Sequence, residues 1–437
     1  MLHRVLTMAG ALASLALLIG SGFAQETAPA ATRIIHAGRL LADPATGRVL
    51  TEQSIIVGAD GRIVGIEPGY VTRDGAEIID QRNRFVLPGL IDSHVHLTSE
   101  LGPDQIIEEV TLTAADGALR GAQNARTTLN AGFTTVADLG AANDAIFALR
   151  RAIGEGRIPG PRIIASGSAI TPDGGHGDVA GFSPNVNDAL RSPSACSGAD
   201  ACRRAVRRQI QAGADVIKIT ATGGVLSNTA AGVEQQFSDA ELQAIVEAAH
   251  AMGRRVTAHA HGAGGINAAL RAGVDSIEHG SYTDAESLRL FRRNGAYLVP
   301  TILAGVTVEE MAAAGGVLTP AQADKAREVG TRMRQSIQNA RRAGVQVAFG
   351  TDSGVSRHGV NAREFQFLVE GGYTPTQAIR LATVDAADHL QLNGVAGRIA
   401  PGYSADIIAV DGDPTQDVET LMNVRFVMAR GVTAKDE

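Results

Sequence analysis

From Thr32 onward the chain opens with short apolar runs broken by glycine: Arg33-Ile34-Ile35-His36, Ser54-Ile55-Ile56-Val57 and Arg62-Ile63-Val64-Gly65-Ile66. Runs of this length and β-branched content predict strands, and Asp60-Gly61 between two of them signals a hairpin. The same texture returns at Ala405–Val410 and Val424–Met428. The middle differs. Apolar runs at Phe85–Ile91, Thr134–Asp138, Arg162–Ala165, Asp215–Ile219, Arg255–His259, Val274–Glu278, Ala296–Thr301 and Gln346–Gly350 alternate with amphipathic stretches. Those stretches are Ala114–Leu129, Asp144–Ile153, Ala201–Gln211, Asp239–Met252, Ala321–Arg342 and Thr376–His389. Ser238, with Glu241 three residues on, has the form of a capping box. Eight strands alternating with helices over roughly 270 residues predict an α/β fold, a (β/α)8 TIM barrel. An open doubly wound sheet shares that alternation, but no glycine-rich dinucleotide fingerprint follows the first strand. The economical organisation inserts the barrel, 85–392, between two parts of a small β-sandwich domain, 25–84 and 393–437.

Ahead of these elements, Met1–Ala24 reads as a cleavable export signal. It carries Arg4, an apolar run through Leu12, Leu15, Leu17, Leu18 and Ile19, and small residues before Gln25. An exported, periplasmic or secreted protein follows, with roughly 410 residues left for one large and one smaller domain. No later stretch offers the ~18 apolar residues of a membrane span. The hydrophobic fraction of 44% excludes a mainly disordered chain. A net charge of −7, with no Trp, excludes a nucleic-acid partner, because phosphate neutralisation needs basic clusters. The two cysteines, Cys196 and Cys202, are six residues apart and fit a local disulfide clip in an oxidising compartment, the alternative being two free thiols.

Candidate chemistry emerges from where the histidines fall. His94 and His96, at i and i+2 on an extended segment, face one side and can reach one metal ion. His259 and His261 repeat the pattern, His279 closes Ser276-Ile277-Glu278-His279, and Asp352 closes Phe349-Gly350-Thr351-Asp352. Lys218 sits inside the apolar run Val216-Ile217-Lys218-Ile219, where a charged amine is costly unless altered or paired. Each residue is ordinary singly. Together they occupy the C-terminal ends of candidate strands one, four, five, six and eight, where a barrel places catalytic groups. Nitrogen and oxygen donors in that number match a zinc-type site.

At these residues the sequence resembles the amidohydrolase superfamily of metal-dependent hydrolases. The resemblance covers nearly the whole chain, including Val86-Leu87-Pro88-Gly89-Leu90-Ile91-Asp92 ahead of His94-Val95-His96, and the closing Gly397–Asp406 with Asp411-Gly412-Asp413-Pro414. It implies two divalent ions, most simply Zn. His94, His96 and Asp352 would bind one, His259 and His279 the other, and a carboxylated Lys218 would bridge both. Further motifs resemble the branch of prolidase-like dipeptidases, carboxypeptidases and ochratoxin-hydrolysing amidohydrolases: Gly174-Gly175-His176-Gly177, Gly223-Gly224-Val225-Leu226-Ser227, His259-Ala260-His261-Gly262 and Gly350-Thr351-Asp352-Ser353-Gly354. The implied reaction is cleavage of a dipeptide or N-acyl amino acid by a metal-bridging hydroxide, with a homo-oligomeric enzyme.

Within that reading Asp352 is the proton-transfer group, and His261 contacts substrate or stabilises the oxyanion, or else orients His259. Val225 and Leu226 offer backbone N–H groups to a carboxylate. His176, His358 and Tyr282 are further substrate-contact candidates. A cyclic amide hydrolase or deaminase of the same superfamily is one alternative. The one-metal deaminase pattern needs Glu three residues after a fifth-strand histidine, where this chain has Gly262 and Gly264. A metal-free scaffold is the non-enzymatic alternative, and degraded ligand positions would mark it, yet all six are filled.

Overall fold

A computed structural model describes residues 31–179, 181–227 and 232–437. The proposed leader, Met1–Ala24, lies outside the described residues. The first four strands are β1 (Ala31–Leu40), β2 (Leu50–Gly58), β3 (Ile63–Pro68) and β4 (Glu77–Pro88). Then come β5 (Leu90–Val95), β6 (Phe133–Asp138), β7 (Arg162–Ala165) and the short ladder β8 (Thr171–Pro172) with β9 (Ala195–Cys196). Five follow: β10 (Ile217–Thr220), β11 (Val256–Ala260), β12 (Ser276–His279), β13 (Tyr297–Val299) and β14 (Gln346–Val347). The chain closes with β15 (Ile407–Val410), β16 (Val424–Ala429) and β17 (Val432–Asp436).

Both chain ends meet in one seven-stranded sheet of order β17-β16-β15-β4-β1-β2-β3, with β4 joining them through antiparallel pairing to β15. The Asp60-Gly61 hairpin forms between β2 and β3. Alternate residues Ile35, Ala37, Ile55, Val57, Ile407, Phe426 and Met428 share one buried cluster, as period-2 side-chain geometry requires. The expected sandwich takes a different form among the described residues. This single sheet curls until the β2–β3 turn reaches the far strands, Ala405 N–H donating to the Gly61 carbonyl at 2.9 Å. Gly61 makes the closure possible, because a Cβ there would lie 2.3 Å from the Arg430 carbonyl oxygen. Curling covers the apolar face that a second sheet would otherwise cover.

Eight of the remaining ten strands, all parallel, form a TIM-barrel-type α/β unit divided between two sheets, β5-β6-β7 and β10-β11-β12-β13-β14. Among the described residues they make no single continuous ladder. At one seam Asp352 N–H donates to His94 O, and His96 N–H to Ser353 O, both at 2.7 Å. At the other, Ile170 N–H donates to Lys218 O at 2.8 Å. The ladder stops early at β14 because Phe349 N–H turns to the carbonyl of Leu381. The expected first strand, Phe85–Ile91, also divides. Pro88 ends β4 in the curled sheet and Leu90 begins β5, since proline donates nothing to a ladder.

Most expected helices form, and capping boxes start several of them: Thr113 with Asp116, Ser238 with Glu241 and Thr319 with Gln322. Such a cap contributes about 1 kcal/mol. The stretch Thr376–His389 is two helices, Pro375–Leu381 and Val384–His389. The carbonyls of Leu381 and Ala382 are taken by Phe349 and Ile91 of the strand layer, which interrupts the helical bonding. Helix Ile302–Ala314 was not anticipated. Its Ile302-Leu303-Ala304-Gly305-Val306 start is apolar around the whole circumference and shows no amphipathic period. It packs against helix Pro320–Ala343. Cys196 and Cys202 are disulfide-bonded. No helix among the described residues is long and apolar enough to cross a membrane.

Candidate active site

Strand ends bring the widely separated candidates together. The His94 and His96 rings of β5 lie 5.3 Å apart, and those of His259 and His261 at the end of β11 lie 4.7 Å apart. On β12, alternation sends Ser276 and Glu278 to the same interior face, so a fully extended His279 would face away. A φ of 69° at His279 turns it back toward the others. Asp352 and Thr301 share this left-handed backbone, with φ of 57° and 48°. Each such residue costs about 1–3 kcal/mol and persists where surrounding structure enforces it.

Asp352 Oδ1 lies 3.4 Å from His94 Nε2 and 3.1 Å from His96 Nε2, while Lys218 Nζ is 3.2 Å from His94 Nε2. Two sets of potential ligand atoms lie within 4.8 Å of one another: His94, His279 and Asp352, and His259, His261 and His279. His261 thus stands as close to a ligating set as His259 does. Four histidines have Nδ1 occupied elsewhere. His94 Nδ1 meets Glu278 at 2.8 Å, His96 Nδ1 the Gly140 carbonyl at 2.9 Å, His261 Nδ1 Ser281 at 2.7 Å and His279 Nδ1 Thr301 at 2.6 Å. Each therefore presents Nε2 to the centre, the arrangement that outer partners impose on ligating imidazoles.

Electrostatics follow from burial. Burial first, then neighbouring imidazoles, hold His259 and His279 well below the ordinary histidine range, and burial lowers His261 to about 3. Burial likewise lowers Lys218, against the opposing pull of Glu278, Asp352 and Asp138. Burial works to raise Asp352, but the charge of His94 and the hydrogen bond from His96 hold its carboxyl well below the usual range. Burial thus favours neutral nitrogen at His94, His259, His261 and His279; at His96 burial also acts downward, but the hydrogen bond and charge of Asp352 raise it. Imidazole nitrogen beside carboxylate oxygen is a donor set that fits divalent cations.

Above this cluster opens a cavity of about 960 Å³. Val225, Val308, Val329 and Met333, which pack together as one aliphatic wall, line it along with the polar residues Asn143, Ser168, Asp178 and Ser192. Val225, Leu226 and His176 line the cavity. The His176 ring lies 4.3 Å from that of His259, and burial lowers its pKa to about 4. Gly224 is required beneath it, since a Cβ there would lie 2.5 Å from the His176 ring. Two candidates fall elsewhere. Tyr282 is engaged by Glu328 and packs with the aliphatic cluster behind the wall. His358 is buried with Nε2 3.2 Å from the Ser99 carbonyl oxygen, because the loop after Asp352 folds down on residues 99–100.

Residue-level sequence reasoning missed the supports. Glu278 is fully buried and accepts from Ser276 at 3.0 Å as well as meeting His94. Asp92, also buried, accepts from His94 N–H at 3.1 Å and Asn361 at 2.8 Å, which holds β5 to the Asp352 loop. A polar residue at the interior period of an apolar strand was the available signal for Glu278.

Histidines, a lysine and an aspartate converge on the C-terminal ends of parallel strands under a large cavity, a cluster able to hold a divalent cation where barrel-type enzymes carry their catalytic groups. Residues 85–434 match the family model described as the amidohydrolase family, and the chain belongs to that family. It is 33% identical over 426 residues to ochratoxinase from Aspergillus niger, covering 92% of this chain and 86% of that protein. Its structure is similar to that of a Xaa-Pro dipeptidase with methionine bound in the active site, with a TM-score of 0.86 and 38% identity over 92% of this chain and 99% of that one. A prolidase complexed with N-methylphosphonate-L-proline gives a TM-score of 0.83 and 32% identity over 93% and 100% of the two chains. The chain thus lies in the prolidase- and ochratoxinase-like branch and is a hydrolytic enzyme acting on amide bonds.

Proposed function

We propose that this enzyme cleaves the amide joining an acyl group or amino acid to an amino acid with a free α-carboxylate, in dipeptides or N-acyl amino acids, ochratoxin-type amides included. The observation that carries the reading is the convergence of His94, His96, Lys218, His259, His279 and Asp352 beneath a cavity lined by Val225, Leu226 and Ser227. The similar proteins support it: one holds methionine, another an L-proline phosphonate, and both ligands are built on an amino acid.

In this reading His94, His96 and Asp352 hold one divalent ion and His259 and His279 the other, most simply Zn, in a closed (β/α)8 barrel. A carbamate on Lys218 would supply a further anionic ligand. Burial favours its neutral amine, which can add carbon dioxide and release a proton, giving an anionic ligand where an ammonium is costly. When bound, the ions polarise the scissile carbonyl and lower the pKa of water. Asp352 accepts a proton from the attacking water at its carboxylate and returns it to the leaving amine. Glu278 orients His94 through Nδ1, and His261 and His176 contact the substrate from the cavity side. Val225 and Leu226 N–H groups receive the substrate carboxylate, and the aliphatic wall receives an apolar side chain. The pattern of Met1–Ala24 and the disulfide support export to an oxidising compartment.

The test compares a hydrolysed dipeptide with its C-terminal amide, alongside metal analysis of the purified protein. About two ions per chain and at least a tenfold lower kcat/KM for the amide, equivalent to ~1.4 kcal/mol, are expected. Equal rates would remove the carboxylate-directed reading, and metal-free protein with full activity would remove the metal assignment.

A further inference from the structure

Helix Pro320–Ala343 passes behind the loop that carries Val225 and Leu226 and binds three of its carbonyl groups. Gln322 Nε2 donates to Leu226 O at 2.5 Å. Lys325 Nζ donates to Gly224 O at 2.9 Å and to Ser227 O at 2.5 Å. In a planar trans peptide the carbonyl and the following N–H point in opposite directions. Gly224 O is turned to Lys325, so Val225 N–H is turned the other way. Among the described residues, neither Val225 N–H nor Leu226 N–H has a hydrogen-bond acceptor, although both residues line the cavity. Buried N–H groups are ordinarily paired, so a free one at a cavity wall is a donor held ready for a ligand.

The lysine itself is unusual in its surroundings. Its ammonium is partly buried, and burial lowers its pKa. Its hydrogen-bond partners are neutral carbonyls, and among the described residues no carboxylate forms an ion pair with it. Its charge is therefore not neutralised at short range. It stands on the side of the Gly224–Val225 peptide opposite Val225 N–H, and both the charge and that peptide's dipole favour an anion on the N–H side.

We propose that Lys325 is a positioning residue for anion recognition: it pins the Gly223–Ser227 loop from behind, sets Val225 N–H toward the cavity and adds positive charge to that donor. This rests on the carboxylate-directed reading above and deepens it by naming what builds the carboxylate site. Lysine is suited to the role because one ammonium can donate to two carbonyls at once.

The experiment uses full-length metal-loaded enzyme, one hydrolysed dipeptide and its C-terminal amide. Lys325→Met should lower the ratio of kcat/KM for the acid to that for the amide by at least about tenfold. The loss should lie in KM for the acid more than in kcat. Lys325→Arg, which keeps charge and donors, should restore most of the ratio. An unchanged ratio in Lys325→Met, whether or not overall activity falls, would overturn the proposal, because a merely structural role lowers both substrates alike. If Lys325→Met does not fold, Lys325→Gln, which keeps a donor and loses the charge, takes its place: an unchanged KM and ratio would overturn the proposal, and a lowered ratio would uphold it. A wild-type enzyme that cleaves acid and amide equally would fail at the earlier reading, and the Lys325 proposal would fall with it.

Discussion

On the curled sheet, Arg33 and Glu77 pair at 3.2 Å with side chains 33% and 62% exposed. At the strand ends, Lys218 Nζ and Asp352 Oδ1 both lie within 3.4 Å of His94 Nε2, and all three residues are buried. The first arrangement costs little, because water solvates both partners, and it contributes little for the same reason. The second takes charges and imidazoles out of water without balancing them, which is destabilising unless something else completes the set. Backbone strain divides in the same way. Glu52, exposed in β2, and Arg430, in the turn between β16 and β17, take positive φ singly and apart from each other, whereas His279, Thr301 and Asp352 take it around one buried centre. Uncompensated burial and enforced strain at one place mark a site maintained for function.

The sharpest way to break this contrast is at the buried end. Lys218→Ala should lose most bound metal and nearly all activity, and short carboxylic acids should restore part of it. Two metals retained with full turnover would end the bridging role. Asp352→Asn should lower kcat by about 10²–10⁴-fold, the range of a lost acid–base group, and metal content by much less. Ordinary turnover in that variant would remove its proton-transfer role. Glu278→Gln keeps the shape but loses the carboxylate that meets His94 Nδ1. Metal affinity measured by chelator competition should fall about 10–100-fold, and an unchanged affinity would show that His94 needs no such support. At the sheet, Glu77→Ala should change stability by no more than about 0.5 kcal/mol in urea unfolding and leave kcat/KM as it was. A larger loss would show that the exposed pair is not as water-screened as its exposure implies.

How much of this was readable beforehand depends on the range of the interaction. His94 with His96, and His259 with His261, were visible as i, i+2 pairs because strand periodicity is local. Capping at Ser238 was visible for the same reason. Helix Ile302–Ala314 escaped because an all-round apolar segment carries no period, and the single sheet escaped because pairing partners β4 and β15 lie on either side of the whole barrel-type unit. His358 and Tyr282 looked like site residues from loop position alone, but packing against Ser99 and Glu328 claims them.

The order of apolar runs, the histidine spacings and a lysine inside an apolar strand determined the α/β class, the family and the residues around which chemistry could gather. These follow from side-chain type and local periodicity, which a linear chain carries in full. Only tertiary structure decided that His279 and Asp352 turn inward through strained backbone, and that Glu278 holds His94 from 184 residues away. It alone decided that Lys325 reaches carbonyls 101 and 98 residues earlier in the chain. Those contacts join segments whose separation in sequence says nothing of their distance in space, and their geometry exists only once the strands and the helix behind the loop are packed.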